Sequence, residues 1–136
     1  MLDNLGIRVE RIATKVTKHG AACVEGGVVG FAIKTKQIDR FVRPTDAAAT
    51  EIAIGERFVL VVGGEHELPI ATGFAPSGTV AGDKLFIDPD DNAVKRTSIA
   101  AGDLPLGVVV EKDTAPDPDR VLVNTNAWQA FLPTPS

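Results

Sequence analysis

The sequence predicts a mainly β chain: a single small antiparallel β-barrel or sandwich with an extended N-terminal arm and a short C-terminal helical turn. Three observations carry this reading. From Gly82 to Asn126, short β-branched and aromatic runs at 85–88, 93–97, 104–111 and 120–124 alternate with Gly, Pro, Asp and Asn. That spacing belongs to an antiparallel sheet turning back on itself. The same launch recurs along the chain, in Ile54-Gly55-Glu56, Ala81-Gly82-Asp83 and Ala101-Gly102-Asp103. Each places a glycine that tolerates positive φ, followed by an acid, ahead of an apolar run, as a turn opening a strand does. Finally, aromatic residues make up only 5% of a chain that is 44% hydrophobic, so the core is expected to consist of small branched side chains on strands. With 136 residues the chain has the size of one domain able to fold without metal or disulfide staples. It divides into an arm (1–18), a β body (19–126) and a tail (127–136).

In the arm, Leu5, Ile7 and Val9 alternate as in a strand, while Leu5, Val9, Ile12 and Val16 fit a helical stripe. Periodicity alone does not choose between them. Such a segment is either a lid on its own core or a strap onto a partner. Residues 21–35 read as strand, Glu25-Gly26-Gly27 turn, strand, with Gly30 marking a bulge or a close backbone approach. Gly26-Gly27-x-x-Gly30 lacks the Gly-Lys-Ser/Thr ending and following helix of a phosphate loop. A short run around Ile38, Phe41 and Val42 ends at Pro44, and 45–50 is read as a loop. Residues 57–62, Gly63-Gly64 and 65–70 are expected to form a hairpin with a primed turn, Pro69 placing the second strand at an edge or at its own end. After an exposed loop at 71–78 and the strands already described, Trp128, Phe131 and Leu132 are spaced as one face of a helical turn. Trp128 and Phe131 either pack on the body or anchor a subunit interface.

Chemistry-bearing patterns start and then fail. Asp88-x-Asp90-x-Asn92 begins like a calcium loop, but Ala93 stands where Gly is needed and Ile99 where the bidentate Glu is needed; a hairpin turn accounts for it better. His66-Glu67 lacks the second histidine of a zinc-protease motif, since residue 70 is Ile. His19 sits beside Gly20 with no fixed partner in view, Cys23 lies in an apolar run that favours a buried, inert thiol, and Ser77 and Ser98 have no nucleophile elbow. No catalytic, cofactor or metal site is expected. Basic residues are not interleaved with aromatics, which argues against nucleic acid, and no stretch reaches the roughly 20 apolar residues of a membrane helix. The single cysteine and the charged first twenty residues suggest synthesis in a reducing cytoplasm. Residues 1–43 hold eight Lys/Arg against four acids, and the remainder six against fourteen. A basic leading third on an acidic body favours encounter between one copy and an acidic neighbour; chance asymmetry on a solvated surface is the plainer alternative.

The order of these strands is familiar. The run Val16-Thr17-Lys18-His19-Gly20-Ala21-Ala22-Cys23-Val24-Glu25-Gly26-Gly27-Val28-Val29-Gly30-Phe31-Ala32-Ile33 resembles the opening of the small capsid decoration (head cement) proteins of tailed bacteriophages. Ile54-Gly55-Glu56-Arg57-Phe58-Val59-Leu60-Val61-Val62-Gly63-Gly64 with Glu67-Leu68-Pro69, Gly82-Asp83-Lys84-Leu85-Phe86-Ile87-Asp88, Leu106-Gly107-Val108-Val109-Val110 and Arg120-Val121-Leu122-Val123-Asn124 follow in the same order. The resemblance spans roughly residues 16–125 and rests on turn glycines and strand order. It implies a non-enzymatic virion protein, made in the host cytoplasm, that binds the outer surface of an assembled head shell through the major capsid protein and reinforces it, commonly as a homotrimer. On that reading Leu2, Leu5, Ile7, Val9 and Ile12 are the arm's contact candidates, with Arg8, Arg11, Lys15 and Lys18 setting orientation. The competing classes are a tail or baseplate component, a small ligand-binding barrel and a low-activity hydrolase.

Overall fold

The computed structural model describes residues 6–35, 51–97, 101–114 and 118–126. Among them the regular structure is all strand: β1 (Ile7–Ile12), β2 (Thr17–Lys18), β3 (Ala22–Glu25), β4 (Val28–Lys34), β5 (Glu51–Ile52), β6 (Arg57–Val62), β7 (Glu65–Pro69), β8 (Lys84–Ile87), β9 (Val94–Lys95), β10 (Leu104–Asp113) and β11 (Arg120–Asn124). They form a four-stranded sheet in the order β1-β6-β4-β3, a five-stranded sheet in the order β7-β11-β10-β8-β9, and the small pair β2-β5, with antiparallel pairing throughout. The expected mainly β, antiparallel architecture is present. The barrel alternative is not: none of the sheets closes on itself, and the arrangement is sandwich-like. The tail with its expected helical turn, Leu2, Leu5, Trp128, Phe131 and the run at 37–50 lie outside the described residues.

Strand alternation accounts for two cores. On one side of the four-stranded sheet Ala22, Val24 and Phe31 meet Leu68, Leu85, Ile87, Val109, Val121 and Val123 of the five-stranded sheet. On the other side Cys23, Ala32, Phe58 and Leu60 pack with Ala13 and Ile52, so the β2-β5 pair and the segment leaving β1 roof that face. The four-stranded sheet is thus buried on both faces along β3 and β4, which explains why those strands read as near-continuous apolar runs. Cys23 sits in the second core, fully buried. Burial pushes its thiol up to about 12, with the Glu25 carboxylate acting in the same direction and Lys15 opposing.

Two glycine pairs were expected to make hairpins, and one does. Gly26 and Gly27, at φ 60° and 78°, connect β3 to β4, which pair directly. Gly63 and Gly64 also take positive φ, 82° and 84°, yet β6 pairs with β1 and β4 while β7 pairs with β11. This connection is a corner that carries the chain from one sheet to the other. The C-terminal end of β11 holds it: Thr125 donates from both N–H and Oγ1 to the Gly64 carbonyl, and Asn126 Oδ1 accepts the Gly64 N–H. Pro69 ends β7, an edge strand, as expected.

From that corner His66 turns inward and stacks on Phe31, ring centroids 4.1 Å apart, with Nε2 2.7 Å from the Gly63 carbonyl. Burial lowers its pKa, and the Gly63 contact only partly opposes this. The fold therefore favours neutral His66. Its stabilising contribution is complete above the unfolded value near 6.5 and is lost as pH falls from there through the lower folded value. Urea midpoints measured at about pH 8 and about pH 5.5 should fall on acidification, and His66→Gln should flatten part of that fall. An unchanged slope in the variant would contradict the assignment.

Candidate functional site

A surface without a built interior use lies along β1. Its entry is fixed by Gly6 at φ 63°, where a Cβ would stand 2.6 Å from the carbonyl oxygens of both Val62 and Gly63. Its exit is fixed by Ala13, whose N–H donates to the Glu56 carbonyl and whose carbonyl accepts the Gly55 N–H. Thr14 then ties the chain to the far edge of the sheet, donating from N–H and Oγ1 to the two Glu25 carboxylate oxygens at 3.0 and 2.8 Å. Between these clamps six residues run in unbroken register against β6, from Ile7 opposite Val62 to Ile12 opposite Arg57. The segment expected to be an arm therefore contributes an integral strand to the body's sheet.

That strand leaves large apolar side chains in water: Ile7 is 69% exposed and Ile12 54%. Arg8 and Glu10 are exposed, Val9 and Arg11 partly buried. Glu10 Oε1 accepts Arg57 Nη1 at 2.9 Å, and Arg11 Nη1 donates to the Glu10 carbonyl at 3.1 Å. Both members of the ion pair are largely exposed, so it contributes about 0.2–1 kcal/mol. Glu10, Arg11, Ile12 and Arg57 together line a shallow hollow.

The structure brings Ile7, Arg8, Val9, Arg11 and Ile12 onto this one strand and separates two other candidates from it. Lys15 Nζ donates to the Pro89 carbonyl in the β8-β9 turn, which makes it an internal tie. Lys18, on β2, stands 5.7 Å from the Phe74 ring centroid and lines a groove of about 660 Å³ with Thr17, Ala22, Phe74, Asn92 and Val94. Asn92, the one non-glycine residue at positive φ among the described residues, uses its Oδ1 there to accept the Val24 N–H. Asp88 and Asp91 hold the backbone N–H groups of Asp90 and Ala93 at 2.9 Å, as turn-forming carboxylates do. This is the hairpin turn expected between β8 and β9.

Sequence reading missed Arg57 and Ile54. Ile54 is 66% exposed in the turn whose Gly55 binds Ala13, next to the end of β1. The signal was present, since an apolar residue directly ahead of a turn glycine has no strand register to bury it. Arg57, first in its run, was legible only as a strand end.

No curated protein and no solved structure matches this chain. A family model for phage cement proteins does, over residues 4–125. That span takes in every described strand, from the exposed edge at β1 to the last ladder at β11. With the match covering most of its length, the chain belongs to the phage cement protein family, structural proteins that associate with the phage capsid.

Proposed function

We propose that this cement protein binds the outer surface of an assembled phage head shell through the major capsid protein and stabilises it, catalysing no reaction. The reading is supported above all by one observation within a family member: an edge strand clamped at both ends that presents Ile7 to water on one face, which Arg11 shares, and Ile12 on the other, which Arg8 shares. Apolar side chains rimmed by charge are the composition of a contact surface. Leu2 and Leu5, preceding β1, extend the same set. Trp128 and Phe131 are assigned to contacts between copies, in a trimer at local symmetry axes. Repetition around a shell multiplies weak contacts into firm attachment, so modest energy per copy suffices.

Heads of its own phage, assembled without this chain, provide the test. The purified protein should pellet with them and add mass on their outer surface. The double substitution Ile7→Asp/Ile12→Asp should weaken pelleting about tenfold or more, equivalent to about 1.4 kcal/mol. Failure of the parent chain to pellet would overturn the function; pelleting of the variant at parental affinity would remove β1 from the contact.

A further inference from the structure

The edges of the two large sheets are treated unequally. On β3 the Val24 N–H is taken by Asn92 and Glu25 by Thr14. Strand β7 ends in Pro69 and pairs Glu67 with Arg120 at 2.8 Å. Strand β9 is two residues long, with Lys95 held by Asp88 and Asp103. These are the usual ways of blunting an edge. Strand β1 has six residues, no proline and no register shift, and no described strand lies beyond it. The Glu10 carbonyl is turned away from β6, since it accepts the side chain of Arg11; by ladder alternation the backbone groups of Arg8 and Ile12 share that outward direction.

We propose that the outer edge of β1, unpaired among the described residues, is an interaction surface for a second copy of this chain, joined antiparallel about a two-fold axis so that two four-stranded sheets continue as one. The strand's charges select this occupant and its register. Directly opposed residues of an antiparallel pair point to the same face, so two identical strands extending one sheet must centre on a residue. Centring on Arg8 sets arginine against arginine, and centring on Glu10 sets glutamate against glutamate. Centring on Val9 sets Arg8 against Glu10 of the second copy twice over, and Val9 against Val9. In this register Arg8 and Glu10 are also the residues whose backbone groups point outward, so they form the hydrogen-bonded pairs. The Arg11 contact on the Glu10 carbonyl gives way to a backbone N–H. A two-fold contact closes on itself and cannot build a ring; it doubles whatever species the other contacts form. The inference does not depend on shell binding.

Sedimentation velocity of the full chain over a range of concentrations tests it. The parent should reach a species twice the mass of that formed by R8E, in which the same register sets carboxylate against carboxylate at both charged pairs. Arg8 is an exposed side chain opposite Val61, so R8E should leave the fold intact by circular dichroism. R8E should weaken doubling roughly tenfold or more, and R8E/E10R/R57E, which restores opposite charges across the pair and keeps the ion pair between positions 10 and 57, should recover it. Equal masses for parent and R8E at every concentration, or no recovery in a folded R8E/E10R/R57E, would overturn the proposal.

Discussion

Phe58→Ala is expected to lower the unfolding free energy by about 3–5 kcal/mol, the range for deleting a fully buried phenyl ring. Phe58 is completely inaccessible and packs in one cluster with Ala13, Ile52, Cys23, Ala32 and Leu60. It is the large side chain that fastens the exit of β1 and the β2-β5 pair to the four-stranded sheet, and its neighbours, held on paired strands and a backbone-tied turn, cannot fully collapse into the space it leaves. Domains of this size have about 5–15 kcal/mol in total, so the variant should unfold roughly 10–20 °C lower in a thermal melt. Ile7→Ala, on the same sheet but exposed, should change stability by about 0.5 kcal/mol or less. A Phe58→Ala loss below about 1 kcal/mol would mean that the second core does not hold the fold.

Gly30→Val should be nearly as damaging, for the opposite reason. A Cβ on Gly30 would stand 2.6 Å from the Val61 carbonyl oxygen and 2.8 Å from Leu60 Cγ, and the cross-strand neighbour Cys23 is itself fully buried. The obstructing oxygen is backbone, in β6, and cannot swing aside as a flexible side chain would. Overpacking of this kind costs about 1–3 kcal/mol, and the rigid contact places Gly30→Val at the upper end, about 3 kcal/mol. Gly27→Ala is the informative contrast. That position has open space around it and φ 78°, so its loss should be about 1–2 kcal/mol from backbone strain alone. Urea titrations of both variants measure the difference; equal losses would argue that the Gly30 contact relaxes.

These two glycines show how far the sequence could be read. A glycine inside an apolar run announces either a bulge or a close approach, and β4 resolves it as close approach, with no register shift at Gly30. The Gly26-Gly27 hairpin and the turns joining β8 to β9 and β10 to β11 were legible because turn chemistry is local, whereas the pairing of β10 with β8 past β9 was not. Gly63-Gly64 was misjudged because its turn chemistry is the same as a hairpin's. What makes it a corner is the capture of β6 by β1 and β4, strands more than 20 residues away. The N-terminal segment was ambiguous for a related reason. Leu5, Val9, Ile12 and Val16 satisfy a helical stripe, and only the partner β6 decides for period two. The contact surface was legible in part: five of the candidates converge on β1, whereas Lys15 is spent on the Pro89 carbonyl and Ile54 was found only once the turn beside Ala13 was placed. Because β1 and Ala13 belong to the body, point substitutions on the strand probe the surface more cleanly than removal of residues 1–18.

The most direct test of a cement role is reinforcement. DNA-filled heads of its own phage, with and without bound protein, should be heated while release of DNA is followed with an intercalating dye. Release is expected at a distinctly higher temperature when the protein is bound, with Ile7→Asp/Ile12→Asp giving heads that behave as undecorated ones. Release at the same temperature with the outer surface saturated would contradict a reinforcing role.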